Sequence, residues 1–260
     1  MISLSGLSQE ETADLLPKNL LLLTYRGSIS HGTYVPQSSP DAIDDKDIMA
    51  IYHGPPEHYL GFGKKEAYEK KLREWDLVCY ELRKFVGLLR KSNPNVLGAF
   101  WLDETDYIYR HPAIEPLIER RDWFLSKKAY KSFTGYAYSQ LKKMEHGAHE
   151  GYMGKKRREL VDRVGYDAKN ACHLIRLLRM GIEALTDHRL YVKRHDSAQL
   201  LSIKRGEWTL NEVKKEAKRL FALADKAYIE STLQIDPDPR IESLLVATLE
   251  TLLGEADKRM

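Results

Sequence analysis

The segment Gly27–Thr33 has the residue types and spacing of a phosphate-binding turn. Glycine permits positive φ and close approach of the backbone, so a Gly-Ser turn that leaves a strand can direct N–H groups and a hydroxyl at a phosphate. The histidine within this segment can bind phosphate or cap the turn. The sequence therefore predicts a triphosphate site formed by Gly27, Ser28, His31, Gly32 and Thr33.

An acidic run follows this turn, and its spacing is that of a metal site. In Asp45-Lys46-Asp47, strand alternation puts both carboxylates on one face and the lysine on the other. Adjacent carboxylates repel unless a cation lies between them, which favours Mg²⁺ or Mn²⁺ over a lysine or arginine partner. A register starting at Asp44 would shift the assignment, but period two selects Asp45 with Asp47. Two ions held in this way can clamp both oxygens of an in-line displacement.

Two apolar strands must position these groups, one before the turn and one carrying the aspartates. The patterns predict strands over Asn19–Arg26 and Lys46–Tyr52, and a third over Trp75–Tyr80. The charged residues between 66 and 74 favour a helix. A helix with apolar positions 82, 85, 86, 88 and 89 follows the third strand and ends before Asn93-Pro94, where asparagine caps the next helix.

The second half of the chain has helical periodicity throughout. The predicted helical segments are 126–150, 154–186, 209–232 and 239–253, with a capping box at Thr209–Glu212 and a terminating glycine at Gly254. A capping box at Ser8–Glu11 opens an N-terminal helix in the same way. We therefore expect an α/β domain over residues 1–125 and a helical domain over residues 126–260.

Composition narrows the class of protein. The chain is 43% hydrophobic and 30% charged, as in ordinary globular proteins, and its net charge of +3 neither demands nor excludes a nucleic-acid partner. Cys79 and Cys172 lie in apolar runs without zinc-ligand spacing and are predicted to be buried thiols. We find no signal peptide and no stretch long enough to span a bilayer, which predicts a cytoplasmic protein without a membrane partner.

The order strand, Gly-Ser turn, helix and strand with Asp-x-Asp resembles the DNA polymerase β-type nucleotidyltransferase superfamily. Gly27-Ser28 followed by Gly32-Thr33 is similar to one branch, the RNA repair pathway DNA polymerase β family, as are the stretches 76–85, 93–97 and 166–176. The resemblance implies an α/β N-terminal nucleotidyltransferase domain with a mixed sheet, followed by an all-α domain. It also implies metal-dependent transfer of a nucleoside monophosphate (NMP) from an NTP to a hydroxyl.

Members of the superfamily add a third carboxylate that binds metal or prepares the acceptor hydroxyl. Asp76, on the third predicted strand, is the residue assigned to this role here. Glu81 is the alternative, because it begins the following helix and could equally be a first-turn acid favoured by the helix dipole. The predicted metal ligands are therefore Asp45, Asp47 and Asp76.

Basic residues form two further groups. Lys169, His173 and Arg176 fall on one stripe of an otherwise apolar helix, and the resemblance makes closure over the triphosphate as strong an interpretation as a solvated face. Lysines and arginines between 127 and 158 alternate with tyrosines at 130, 136, 138 and 152. This segment is typical of a surface that follows a phosphate backbone and also of a solvated helix face.

These features favour NMP transfer to a nucleic-acid end, most of all RNA, because the branch is associated with RNA repair and the basic segment is rich in aromatic residues. Transfer to a protein or small molecule is the alternative within enzymes. A third possibility is a nucleotide-binding or nucleic-acid-binding module without turnover. The presence of Gly27, Ser28 and all three aspartates argues against the third.

Overall fold

A computed structural model of the chain describes residues 2–36, 38–39, 44–62, 66–145 and 154–257. Its centre is a five-stranded mixed sheet in the order β3-β4-β2-β1-β5, in which β2 and β4 run parallel and the other neighbours antiparallel. The strands are β1 (Leu20–Tyr25), β2 (Lys46–Tyr52), β3 (Ala67–Leu72), β4 (Trp75–Glu81) and β5 (Tyr107–Arg110).

Helices surround the sheet and form the whole of the second half of the described chain. They are α1 (Gln9–Leu15), α2 (Gly27–Ser30), α3 (Pro56–Leu60), α4 (Leu82–Arg90), α5 (Pro94–Leu97), α6 (Glu115–Glu119), α7 (Lys128–Glu145), α8 (Lys155–Val164), α9 (Ala168–Thr186), α10 (Ser197–Lys204), α11 (Leu210–Glu230) and α12 (Arg240–Asp257). Among the described residues, no helix combines the length and apolar composition needed to cross a membrane.

Strand alternation divides the core between the two faces of the sheet. In β2, Met49 and Ile51 join a large cluster shared with the helices, whereas Ile48 and Ala50 join a smaller cluster that α1 covers. The large cluster runs without interruption from Leu21 to α12. Asp47 alternates in phase with Met49 and Ile51, so its side chain lies on the face of the sheet that packs against the helices.

Most of the predicted elements form as expected. Both capping boxes are present, and Asn93 caps α5 through a bond from the Asn95 backbone N–H. Both cysteines are buried, and neither forms a disulfide with a described residue. The bounds of β2 are those predicted from its apolar run.

Three expectations about the elements were wrong, and two elements were missed. Residues 67–72 form the exposed edge strand β3 rather than a helix, since pairing with β4 overrides their helical propensity. The segment 154–186 is two helices, separated where Gly165 adopts φ +79°. Helix α12 continues through Gly254 to Asp257, so Gly254 does not terminate the helix. Strand β5 and helix α10 were not predicted.

Candidate active site

The Gly-Ser turn follows β1 directly and forms the single helical turn α2. Gly27 adopts φ +62°, a conformation that favours glycine. The turn is closed by backbone bonds from His31 to Gly27 and from Thr33 to Ser28. The Ser28 hydroxyl is buried and has no hydrogen-bond partner among the described residues, as expected of a group that awaits a ligand.

Gly27 packs against the second aspartate of the acidic run. A Cβ atom at position 27 would stand 3.2 Å from Asp47 Cγ and closer still to its Oδ2. The Arg26 N–H also donates to the Asp47 carbonyl, at 3.0 Å. Glycine at position 27 therefore makes room for the Asp47 carboxylate. The sequence had predicted that it would make room for a phosphate.

Asp47 and Asp76 lie opposite each other on adjacent strands. They are paired in the parallel register of β2 with β4, so their side chains leave the same face of the sheet. Burial raises the pKa of the Asp47 carboxyl, and Asp76 and Asp44 raise it further, against the lowering effect of Arg26 and Lys169. A carboxylate in this environment is more stable with a cation beside it.

Asp45 does not share this position. It is 43% exposed, and its Oδ2 accepts a bond from Lys71 Nζ at 2.7 Å. Lys46 points away from it, to Glu74 and Ser5, as alternation predicts. Among the described residues, no three His, Cys, Asp or Glu side chains are gathered closely enough to hold a metal ion.

The alternative third carboxylate, Glu81, has a structural role. It is buried at the end of β4, where it caps α4 by accepting bonds from the Arg83 and Lys84 N–H groups. Tyr59 donates a further hydrogen bond to it, at 2.8 Å. Its register position pairs it with Tyr52, five residues from Asp47 along β2. Asp76 is therefore the better placed of the two.

One cavity brings the turn, an aspartate and helix α9 together. Its charged and polar lining includes Arg26, His31, Asp47, Asn95, His173 and Arg176, together with Gly27. Its apolar lining includes Met49, Pro94, Ala99, Leu102, Met180 and Val192. Among the described residues that line it, Asp47 is present but Asp45 and Asp76 are not. Of the predicted nucleotide-binding residues, Gly27, His31, His173 and Arg176 line this cavity, whereas Ser28, Gly32, Thr33 and Lys169 do not.

Arg176 is a buried cation in this wall. It is only 9% exposed, and its one hydrogen bond to a described residue goes from Nη1 to Met180 Sδ, at 3.4 Å. Burial lowers the pKa of Arg176 to about 10. The expectation of a solvated stripe is therefore wrong for this residue. A buried guanidinium without a carboxylate partner is costly, and an anion in the cavity would offset that cost.

The two cavity histidines are held in the neutral state. Burial and the nearby Arg176 charge lower the pKa of both His31 and His173 well below the usual value. His31 Nδ1 donates to the Val192 carbonyl at 3.0 Å, which leaves Nε2 as an acceptor. Arg194 N–H donates in turn to the His31 carbonyl, so the loop before α10 fixes the turn.

Lys169 is turned toward an aspartate that sequence reasoning left out. Its Nζ lies 3.3 Å from Asp44 Oδ1, and Asp44 also binds Lys204, whose Nζ donates to the Thr33 carbonyl. Asp44 and Lys204 are both buried. This network ties the start of β2 to α9 and α10. No local sequence pattern indicated this network. Arg26 was also missed as a site residue, although it directly precedes the Gly-Ser turn in the sequence.

The basic and aromatic segment is only partly a free surface. Arg157 binds Asp167 and Asn170, Lys128 pairs with Asp236, and Tyr130 donates to Asp225. These contacts stabilise the packing of the helices. Lys131 and Lys143 are exposed and make no ion pair with another described residue. Tyr152 lies outside the described residues.

Comparisons with known proteins assign the family. No curated protein matches the chain. A solved nucleotidyltransferase-like protein from Exiguobacterium sibiricum 255-15 is similar to 94% of this chain and 72% of its own, with 13% identity and a TM-score of 0.30, values too low to carry an argument. The model of the RNA repair pathway DNA polymerase beta family matches residues 3–220, which is most of the chain. The chain therefore belongs to the RNA repair pathway DNA polymerase beta family.

Proposed function

We propose that the chain transfers NMP from an NTP to an acceptor hydroxyl, with pyrophosphate as the leaving group and Mg²⁺ or Mn²⁺ as cofactor. The observation that carries the proposal is the cavity itself. Asp47, aligned with Asp76 across two parallel strands, faces the same space as Arg176 and the Gly-Ser turn. A magnesium nucleotide needs carboxylates for the metal and cations for the phosphates. Asp47 and Arg176 line the cavity, and Asp76 lies beside Asp47 on the next strand.

The carboxylates fit the expected metal. Mg²⁺ commonly keeps several waters and is bound by one or two carboxylates together with substrate phosphates, so Asp47 and Asp76 are a sufficient protein contribution. The bound ions would polarise the transferred phosphate and stabilise charge on the attacking and leaving oxygens. Asp45 would join as a third ligand once its carboxylate leaves Lys71, and the exposure of that pair makes the exchange inexpensive.

The residues on the opposite side bind and orient the triphosphate. Arg176 donates to phosphate oxygens, as does the backbone of α2. Ser28 does not line the cavity, so its hydroxyl would supply a further donor only after it turned toward the phosphates. His173 donates from whichever ring nitrogen carries the proton. His31, whose Nδ1 is engaged by Val192, positions the turn. Lys169 is held by Asp44 and acts through its charge on Asp47.

The acceptor hydroxyl approaches from the side of Asp76. Its carboxylate, on the strand next to Asp47, accepts the hydroxyl proton as the oxygen attacks the α-phosphorus. RNA is the acceptor that the family assignment favours. Transfer to a protein hydroxyl uses the same chemistry and is the outcome to separate from it.

The test is transfer of label. The chain is incubated with each α-labelled NTP, Mg²⁺ or Mn²⁺, and either total RNA or total protein, and the labelled product is separated by size after nuclease or protease treatment. We expect nuclease-sensitive label from the wild type and none from Asp47→Asn. Protease-sensitive label would replace RNA by protein as the acceptor, and no label with any NTP would refute the transferase.

Metal binding is measured separately. Isothermal titration with Mn²⁺ in the presence of a non-hydrolysable NTP should show uptake by the wild type that is lost in Asp47→Asn, with Glu81→Gln as a control for the removal of an acid that the site does not use. Glu81 caps α4, so its substitution lowers stability without affecting Mn²⁺ uptake. Equal uptake by Asp47→Asn and the wild type would place the metal elsewhere.

A further inference from the structure

Helix α7 has an exposed face that is basic and aromatic along its length. The only acidic residue of the helix is the terminal Glu145, while lysines recur from Lys128 to Lys143. Lys131, Tyr136, Tyr138, Lys142 and Lys143 are exposed. These five residues are called the α7 face below. Such a face attracts a polyanion, and its aromatic rings make it unlike a face that is only solvated.

The centre of the α7 face is an open aromatic ring with a cation beside it. Tyr138 is 52% exposed, and Lys142 Nζ lies 5.2 Å from the centroid of its ring. Tyr138 also lines a groove between α7 and α11, together with Leu141, Ala217, Phe221, Lys214 and Lys218. None of the described residues that line this groove is acidic. A nucleobase can stack on such a ring while lysines contact its phosphates.

One lateral edge of the α7 face, at Tyr136, meets the rim of the active-site cavity. Tyr136 Oη accepts a hydrogen bond from Asn93 Nδ2, at 3.0 Å. Asn93 caps α5, whose Pro94 and Asn95 line the cavity. A strand that lay on the α7 face could therefore present its end to the cavity without crossing the core.

We propose that the α7 face binds single-stranded nucleic acid and holds the acceptor strand of the proposed transfer. Only the role as acceptor rests on the proposed function, because binding needs neither NTP nor metal. An acidic protein would use the lysines but would have no need of an exposed tyrosine beneath an ammonium group. The rings therefore favour a ligand that has bases as well as negative charge.

The test measures binding of a fluorescein-labelled single-stranded oligoadenylate RNA by anisotropy, without NTP or divalent metal, over a series of salt concentrations. Lys131→Gln combined with Lys143→Gln should weaken binding by about tenfold at low salt and reduce the salt slope by about 1.4, the value for two lost phosphate contacts. Tyr138→Ala should weaken it by about fivefold or more. All three side chains are exposed, so the variants should fold as the wild type does.

The matched control is Lys18→Gln combined with Lys226→Gln, which removes the same charge from exposed positions outside the α7 face. It should keep wild-type affinity. Equal losses in the control and the α7 variant, or no loss in either, would overturn the proposal. So would polyglutamate that competes as well as RNA while Tyr138→Ala has no effect, since that result indicates an acidic protein partner.

The two proposals can fail separately. Asp47→Asn should bind RNA as the wild type does, because Asp47 lies in the cavity and not on the α7 face. If no transfer is found but binding follows the α7 variants, the function is wrong and the surface is right. If transfer to RNA is found with unchanged efficiency in the α7 variants, the acceptor strand is held elsewhere, which overturns the acceptor role proposed for the α7 face.

Discussion

The two walls of the cavity each bury a charged side chain, Asp47 on the sheet wall and Arg176 on the helix wall, and no ion pair joins these two among the described residues. On the sheet wall, burial raises the pKa of Asp47; on the helix wall, burial lowers the pKa of Arg176 to about 10. Among the described residues, Arg176 forms no ion pair with a carboxylate. Each wall therefore holds a charge that its surroundings disfavour. A ligand with a cation for one wall and an anion for the other would relieve both, and a metal-bound nucleotide is such a ligand.

The largest expected effect lies on the sheet wall. Asp47→Asn removes the charge but keeps the shape, so transfer should fall by at least about 100-fold, comparable to the loss of a principal electrostatic group in an active site. The melting temperature should not fall, because a buried charge has been removed. Turnover assays and thermal melts are the measurements. Wild-type turnover in this variant would show that the sheet wall does not bind the metal.

The next effect depends on the contact between the turn and Asp47. Gly27→Ala would place a Cβ against the Asp47 carboxylate, and we expect activity to fall at least tenfold with a loss of about 1–2 kcal/mol of stability from the positive φ. Gly32→Ala is the matched control. Gly32 adopts φ +71°, but its Cβ would meet nothing closer than 3.6 Å.

Both glycine variants share the backbone strain, so the difference in activity between them reports the contact with Asp47 alone. Measured NTP affinity extends the comparison. The bulkier Gly27→Val should also weaken binding of a non-hydrolysable NTP, as predicted from the turn. Equal activity of the two alanine variants would mean that the position of Asp47 does not depend on Gly27.

On the helix wall the expected effect is on affinity. Arg176→Ala should raise the Kd for NTP by roughly tenfold or more, because one charge-assisted hydrogen bond is worth about 1.5–3 kcal/mol. Stability should hold or rise, since an unpaired buried cation is lost. Lys127→Gln with Lys131→Gln should leave NTP affinity unchanged. An unchanged Kd in Arg176→Ala would leave α9 with a structural role only.

The sequence predicted the sheet wall better than the helix wall, for a physical reason. The bounds of β2 and the face of the sheet on which Asp47 lies follow from apolar content and period two, both of which are local. Asp45 precedes the strand, and period two did not predict its contact with Lys71. For Arg176, helical spacing places it on a polar stripe but does not say whether that stripe meets water or a cavity. The answer depends on how α9 packs against the sheet.

Long-range ion pairs could not be predicted at all. Asp44 and Lys204 meet across 160 residues of sequence, and Lys71 reaches Asp45 only because β3 pairs with β4. Strand β3 itself was missed because its residues are charged and mostly exposed, as edge strands often are. The number of metal ligands was therefore the least predictable property of the site, because Lys71 binds Asp45, one of the three predicted ligands.

The smallest expected effect is a pH dependence of stability that comes from the helix wall. His173 has a folded-state pKa well below 6.5, so between these values the unfolded chain binds a proton that the folded chain does not. Stability from neutral His173 is therefore fully present above about pH 7 and is lost as pH falls from 6.5 toward the folded-state pKa, by up to about 1.4 kcal/mol for each pH unit. His31 adds a loss of the same sign.

His173→Gln should remove the part of this loss that comes from His173. Between pH 7 and pH 5.5, the free energy of unfolding should therefore fall less in the variant than in the wild type. Denaturant titrations at several pH values measure it. His58→Gln, at a buried histidine beside Glu81 and outside the cavity, is the control for removing an imidazole. A saturating non-hydrolysable NTP should flatten the wild-type dependence, because phosphate charge favours protonated histidine. If the pH dependence is the same in His173→Gln and the wild type, or is unaffected by the nucleotide, the positive charge of the helix wall does not act on a bound phosphate.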